Sequence, residues 1–73
     1  MPKRKKLEQQ IRRLARNFGH TARPIRQGSH EIWECAGFRF PIPRHAEINE
    51  WTASTIIVKL TEHLEHLAEE EAR

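Results

Sequence analysis

One histidine of this chain follows a Gly-Ser pair and lies near an arginine in the sequence. His30 comes directly after Gly28 and Ser29, and Arg26 precedes them. An imidazole can accept or release a proton near neutral pH. A glycine-bearing turn lets the backbone approach a phosphate closely, and a guanidinium group binds phosphate charge. These residue types make His30 a candidate for proton transfer beside a bound phosphate. The substrate-binding residues expected around it are Arg26, Gly28 and Ser29.

A second pair of residues with the same chemistry follows further along the chain. Arg44 and His45 are adjacent, and both are candidate substrate-binding residues because they come directly after a predicted strand. Arg44 could hold phosphate charge, and His45 could divide the acid and base roles with His30. The alternative for His45 is a loop residue that caps or packs. The alternative for His30 is an ordinary hydrogen-bonding residue at the start of a strand.

The other histidines and the single cysteine do not indicate a metal or thiol site. His63 and His66 are spaced like helical zinc ligands, but no third ligand has a fixed position, so a solvated helix face is the better interpretation. Cys35 excludes an internal disulfide and fits a reduced, cytoplasmic setting. Glu34 beside it does not favour a thiolate. We therefore expect neither a metal nor another cofactor.

Positive charge is concentrated in the N-terminal part of the sequence. Residues 1–30 hold nine Lys and Arg and one Glu, whereas residues 31–73 hold four Lys and Arg and nine Glu. The local charges are thus +8 and −5, within a net charge of +3. A basic segment is typical of a protein that binds a polyanion. The alternative for the basic residues 3–6 is a solvated, frayed start. The longest strongly apolar run, residues 56–58, is too short for a membrane span or a signal peptide.

Two apolar stripes with helical spacing predict two helices, one over residues 4–17 and one that ends near residue 70. The first stripe consists of Leu7, Ile11, Leu14 and Phe18, and the second of Ile56, Ile57, Leu60, Leu64 and Leu67. Thr52 or Ser54 is the expected N-cap of the second helix.

Between the helices the sequence predicts three strands. Pro24 makes the first, within residues 20–27, irregular or confined to a sheet edge. The second (31–35) and third (38–42) flank an Ala36-Gly37 turn and form a hairpin. In the third strand every second residue is apolar, which predicts one sheet face for Phe38, Phe40 and Ile42. The order predicts one α+β domain, in which two helices pack on one face of a three-stranded antiparallel sheet and leave the other face uncovered. A chain of 73 residues is too short for a second domain.

These motifs, in this order, resemble the HicA family of bacterial toxins, also called the YcfA-like family. The resemblance covers roughly residues 7–62. It rests on the Arg-Gln-Gly-Ser-His segment of residues 26–30, on Ile32-Trp33, on the Ile-Pro-Arg-His segment of residues 42–45, and on the helix start at residues 52–56.

The resemblance implies a fold like that of a double-stranded RNA-binding domain. It also implies an mRNA interferase, an endoribonuclease that cleaves RNA without a metal and uses His30 as its catalytic residue. The expected partners are mRNA and a HicB-type antitoxin protein, with no membrane and no small-molecule cofactor. The implied location is the cytoplasm.

The sequence departs from the family pattern in three places. Pro24 interrupts a strand that is usually regular. Residues 46–51 lack the usual stretch with lysine and glycine and include two carboxylates, which repel phosphate. An acidic segment extends the second helix, and residues 68–73, like residues 1–6, are expected to fray.

Other functions are compatible with the same elements. The chain could be a non-catalytic module that binds RNA or a protein, or an adaptor whose acidic second helix docks a basic partner. Trp33 and Trp51 could stack on RNA bases. We expect Trp51 instead to be buried at the edge of the core, and an exposed Trp33 would favour a partner surface.

Overall fold

The computed structural model describes residues 3–72, in which two helices flank three strands. In chain order the elements are α1 (Arg4–Asn17), β1 (Ala22–Arg26), β2 (His30–Cys35), β3 (Phe38–Pro43) and α2 (Glu50–Glu71). The strands form one antiparallel sheet in the order β1-β2-β3. The predicted α+β class and the predicted order of elements are therefore confirmed.

The β2–β3 hairpin closes at the predicted turn. Ala36 and Gly37 have φ angles of 51° and 84°. Two consecutive residues with positive φ match the right-handed twist of the strands they connect. The hairpin then continues in regular register from the pair Cys35–Phe38 to the pair His30–Pro43. The register fixes which residue of β3 lies opposite His30.

The core lies between the helices and one face of the sheet. Trp33 and Cys35 of β2 point into it, as do Phe40 and Ile42 of β3. The helices contribute the buried side chains Leu7, Ile11, Ala15, Ala53, Ile56, Leu60 and Leu64. Both predicted apolar stripes and the predicted alternation in β3 therefore face one core.

A buried carboxylate ties α1 to the sheet. Glu31 is 9% exposed. Its Oε1 accepts hydrogen bonds from Arg4 Nη2 at 2.5 Å and from Trp33 Nε1 at 2.7 Å. Such pairing is what makes burial of a charge tolerable. The Arg12 guanidinium lies 4.9 Å from the centre of the Trp33 ring, in a cation–π contact. Two N-terminal arginines thus support the fold.

Strand β1 contains an irregularity next to Pro24. Pro24 pairs with Trp33, but Arg26 pairs with Ile32, so Ile25 is one extra residue on β1. The predicted irregular edge strand is confirmed. Because residues directly opposite each other point to the same face, the extra residue turns Arg26 to the face that carries Ile32. In a regular strand Arg26 would lie on the opposite face.

Helix α2 begins earlier than the sequence predicted. Its N-cap is Asn49, whose Oδ1 accepts a hydrogen bond from the backbone N–H of Trp51 at 2.8 Å. The prediction of Thr52 or Ser54 as the cap was wrong, because an asparagine three residues earlier caps at least as well. Within residues 3–72, neither helix combines the length and the apolarity needed to cross a bilayer.

Both ends of the described chain are more regular than expected. Lys3 forms an isolated antiparallel bridge with Glu47, and the Arg4 N–H donates to the Ala46 carbonyl at 2.9 Å. These contacts hold the start of α1 against the loop that follows β3. At the other end α2 continues through Glu71, so the acidic segment expected to fray is helical as far as that residue. Residues 1, 2 and 73 of the two expected frayed ends lie outside the described residues.

Candidate functional site

His30 stands on the sheet face that the helices leave uncovered. Along β2, His30 and Ile32 alternate with the buried Glu31 and Trp33. Since successive strand residues point to opposite faces, the imidazole points away from the core. His30 is exposed. Its ring is therefore accessible to a ligand.

Three arginines share this surface, which we call the open face. Cross-strand pairing and alternation with the core residues assign to it Arg23, Arg26, His30, Ile32, Glu34, Arg39, Pro41 and Pro43. Arg39 Nε lies 3.4 Å from Glu34 Oε2, in an ion pair at the surface. The open face thus carries three guanidinium groups and one carboxylate, and its net charge is positive. Arg26 is the arginine nearest His30 by register, whereas Arg23 and Arg39 lie beside Glu34 toward the other end of the sheet. A surface of this kind attracts phosphate groups.

The turn that precedes His30 is contacted by the residue that follows β3. Arg44 Nη1 donates to the Gly28 carbonyl at 3.2 Å. Arg44 follows Pro43, the residue paired with His30. Of the candidate residues, Arg44 and the Gly28-Ser29 turn therefore come together at one end of the sheet. Arg26 lies at the same end, paired with Ile32, the residue two places after His30 on the same face.

The fold itself makes no steric demand for glycine at position 28. A Cβ built on Gly28 would meet only the His30 carbonyl oxygen, at 3.9 Å, which is an ordinary contact. The positive φ angles of glycine are found at Gly19 and Gly37 instead. A need for glycine at position 28 would therefore come from a ligand that approaches the backbone.

His45 lies beside the start of α1. It lines a groove of about 630 Å³ between the start of α1 and the loop after β3. The groove is lined by Lys3, Arg4, Lys5, Glu8, Arg44, His45, Ala46 and Glu47. Within residues 3–72 no hydrogen bond joins the two imidazoles. Arg44 therefore lines this groove and also contacts the turn before His30.

Lys3 and Lys5 are candidate phosphate contacts that the sequence motifs did not indicate. The loop of residues 44–47 has no lysine of its own. Two lysines of the neighbouring helix start lie across the groove from it, because the Arg4 N–H is bonded to the Ala46 carbonyl. The basic residues 3–6 were the sequence feature that could have indicated this role. Their proximity to the loop of residues 44–47 could not be predicted, because it depends on contacts between residues far apart in the chain.

The histidines of α2 have structural contacts. His63 Nε2 donates to the Ala36 carbonyl at 2.7 Å, and its ring stacks on Phe38 with centroids 5.4 Å apart. The expectation of a solvated face was wrong for His63, because the helix packs this side chain against the hairpin turn. His66 Nε2 lies 3.1 Å from Glu70 Oε1. In the part of the chain that the structure describes, no three His, Cys, Asp or Glu residues are grouped to hold a metal ion.

Cys35 is held in its thiol form by its surroundings. The residue is 1% exposed, and burial raises the pKa of the thiol. The neighbouring Glu34 carboxylate raises that pKa further. A thiol with a raised pKa is protonated at neutral pH and is a poor nucleophile. Cys35 is therefore a core residue.

The two tryptophans have opposite environments. Trp33 is 1% exposed and belongs to the core, whereas Trp51 is 76% exposed. The expectation that Trp51 closes the core edge was wrong, because the Asn49 cap places it in the first turn of α2 with its side chain in solvent.

Together these features define a small α+β domain whose uncovered sheet face presents a histidine with Arg26 on the same face and Arg44 at the preceding turn. An imidazole in such a place can exchange protons with a bound phosphodiester while the guanidinium groups hold its charge. Compared with protein-family models, curated proteins and solved structures, the chain matches none of them.

Proposed function

We propose that this chain is an endoribonuclease of the HicA type, in which His30 transfers protons at the scissile phosphodiester of mRNA. The observation that carries the proposal is the exposed imidazole of His30 on the positively charged open face. The order of elements, with both helices on one face of the sheet, is that of the double-stranded RNA-binding domain, and we propose that fold type.

The proposed reaction uses the 2′-hydroxyl of the RNA as the nucleophile. His30 accepts the 2′-hydroxyl proton as the oxygen forms a bond to phosphorus, and the bond from phosphorus to the 5′-oxygen breaks. The 5′-oxygen takes a proton from water, and the products are a 2′,3′-cyclic phosphate and a 5′-hydroxyl end. Proton transfer by a positioned imidazole is worth roughly 10²–10⁴ in rate.

Arg26 and Arg44 provide the charge that this reaction requires. Negative charge develops on the phosphate oxygens as the second bond to phosphorus forms, and guanidinium groups stabilise it. Arg26 extends from the end of β1, and Arg44 lies against the turn before His30. In this proposal the backbone of Gly28 and Ser29 contacts the same phosphate.

The groove at the start of α1 extends the substrate surface beyond the scissile phosphate. Lys3, Lys5 and Arg44 line it with His45, while Glu8 is paired with Arg4 at 3.3 Å. The groove therefore keeps a positive balance despite Glu47. We assign to it the next phosphate along the RNA, with His45 as a binding residue.

A HicB-type antitoxin is the proposed protein partner, and the cytoplasm is the proposed location. A nuclease whose catalytic histidine is exposed needs a covering partner to protect the RNA of its host. The open face is the surface that such a partner would cover, because it carries His30.

One observation favours a second candidate function, a module that binds RNA without cleaving it. Among residues 3–72 no side chain forms a hydrogen bond to the His30 ring. Catalytic bases are usually oriented by a third group. The second candidate keeps the open face as the RNA-binding surface and assigns no proton transfer to His30.

Expression in a bacterium distinguishes the two functions. The parent chain, His30→Ala and His66→Ala are induced to equal levels, and growth and mRNA half-lives are measured. We expect growth arrest and rapid mRNA loss with the parent and with His66→Ala. We expect normal growth and stable mRNA with His30→Ala. If His30→Ala caused as much mRNA loss as the parent, the catalytic role of His30 would be refuted. If mRNA stayed stable with the folded parent, the RNA-binding module without cleavage would be the remaining candidate function.

A further inference from the structure

A second surface lies beside the outer edge of β3. Trp51 is the most exposed large apolar side chain among residues 3–72. It borders a groove of about 320 Å³ between β3 and α2, which we call the edge groove. The apolar residues of the edge groove are Phe38, Phe40, Pro41, Trp51 and Ile56. Arg39 and Lys59 also line it, so an apolar slot has a positive border.

The backbone of Trp51 is held at the start of α2. The Asn49 side chain accepts a hydrogen bond from the Trp51 N–H at 2.8 Å, which holds the backbone of the first turn. A side chain that is 76% exposed on such a backbone contributes little to the core. Exposed aromatic residues at fixed positions are typical of surfaces that bind a partner or a base.

The edge groove is close to the proposed catalytic residue along the sheet. Pro41, which lines the groove, is two residues from Pro43, the cross-strand partner of His30. Two strand residues span roughly 7 Å, and neighbouring strands are about 4.8 Å apart. A short run of nucleotides can therefore reach from His30 to the part of the edge groove lined by Pro41.

We propose that the edge groove binds an unpaired base of the RNA whose phosphodiester lies at His30. Trp51 stacks on this base, and Arg39 and Lys59 contact the phosphates on either side of it. The inference rests on the proposed function and deepens it, because a base in the groove must be outside a duplex. The substrate is therefore RNA that is single-stranded next to the cleavage site.

The edge of β3 favours a base over an extended peptide. A peptide that adds a strand to a sheet edge needs main-chain donors from that edge. Proline within a strand is tolerated where its missing N–H would point away from the neighbouring strand. Pro41 and Pro43 both lie in regular register with β2, so the outer edge of β3 lacks two of its donors. Stacking on an indole needs no such donors.

Binding measurements on a non-cleaving background test this inference. Trp51→Ala, Trp51→Phe and Val58→Ala are each combined with His30→Ala, and fluorescence anisotropy follows a labelled single-stranded RNA and the duplex of the same sequence. Val58 is the matched control, because it is 52% exposed on the same helix and does not line the groove. We expect Trp51→Ala to weaken single-strand binding about tenfold, since one base–aromatic stack is typically worth that much. Trp51→Phe and Val58→Ala should bind like the background, and duplex binding should not depend on Trp51.

The same variants with His30 intact separate this inference from the proposed function. Cleavage with a raised KM and an unchanged kcat in Trp51→Ala would support base stacking. If Trp51→Ala bound single-stranded RNA with unchanged affinity and the parent cleaved RNA, the inference would be overturned. The proposed nuclease function would still stand. If Trp51→Ala lost binding to a protein partner but kept its affinity for RNA, the groove would be assigned to that protein. That result would overturn the inference as well. A parent chain that neither binds nor cleaves RNA would end both proposals.

Discussion

At the scale of single residues, the proposed chemistry depends on Gly28, which precedes His30 by two residues. The Gly28 carbonyl accepts a hydrogen bond from Arg44, and an added Cβ at Gly28 would meet no atom closer than 3.9 Å. His30 itself is exposed on the open face. The turn is thus open on the side where a phosphate would lie. The requirement of the fold for glycine at position 28 can therefore be separated from the requirement of a ligand.

Gly28→Ala is expected to fold normally and to cleave RNA poorly. The added methyl group has room in the fold but stands where a phosphate would approach the backbone. We expect the melting temperature to stay near that of the parent and kcat/KM to fall by about tenfold, the loss of one hydrogen bond to a charged group. Thermal unfolding and cleavage of a labelled RNA measure the two effects. An alanine variant with parental kcat/KM would remove Gly28 from the substrate-binding residues.

At the scale of the elements, caps and register decide where the functional side chains point. Asn49 starts α2 and thereby leaves Trp51 in solvent. The extra residue in β1 turns Arg26 to the open face. Neither effect changes the number or the order of the elements. Both change which surface a side chain occupies.

Asn49→Ala is expected to lower the free energy of unfolding by about 1 kcal/mol, the typical cost of removing an N-cap. Asn49→Asp keeps an oxygen that can accept from the Trp51 N–H and should retain most of the stability. Urea denaturation followed by circular dichroism measures both. Equal stability of the alanine variant and the parent would show that Asn49 does not cap α2.

The sequence predicted the elements better than it predicted their exact ends. The apolar stripes and the alternation of Phe38, Phe40 and Ile42 were sufficient for both helices and the hairpin, because burial on one face imposes those periods. Pro24 indicated an irregular strand, but the residue that bulges depends on pairing with β2. The site was predictable only in part for the same reason, since the contacts of Arg44 with Gly28 and of Arg4 with Ala46 join residues far apart in the chain.

At the scale of the whole molecule, the basic part of the sequence serves two purposes. Arg4 and Arg12 hold α1 to the sheet through Glu31 and Trp33. Arg23 and Arg26 lie on the open face. Local charge in the sequence therefore overstates the charge available to RNA, and position on the fold decides which residues contribute.

RNA affinity is expected to fall steeply as salt rises, because phosphate contacts release counterions. Arg26→Ala should reduce the slope of log K against log salt by roughly 0.7 for single-stranded RNA, the contribution of one phosphate contact. Arg13→Ala removes the same charge from an exposed position on α1, away from the open face, and should leave the slope nearly unchanged. Anisotropy titrations at several salt concentrations give the slopes. Equal slopes for both variants would mean that the open face does not contact RNA phosphates.

The role of His30 in RNA cleavage is measured by single-turnover cleavage of a labelled single-stranded RNA, with purified parent and His30→Ala in excess over RNA and EDTA present. Circular dichroism first establishes that the variant is folded. We expect the parent to cleave and to leave 2′,3′-cyclic phosphate ends, and His30→Ala to be slower by at least about a hundredfold. Cleavage by folded His30→Ala at the parental rate would refute the catalytic role of His30.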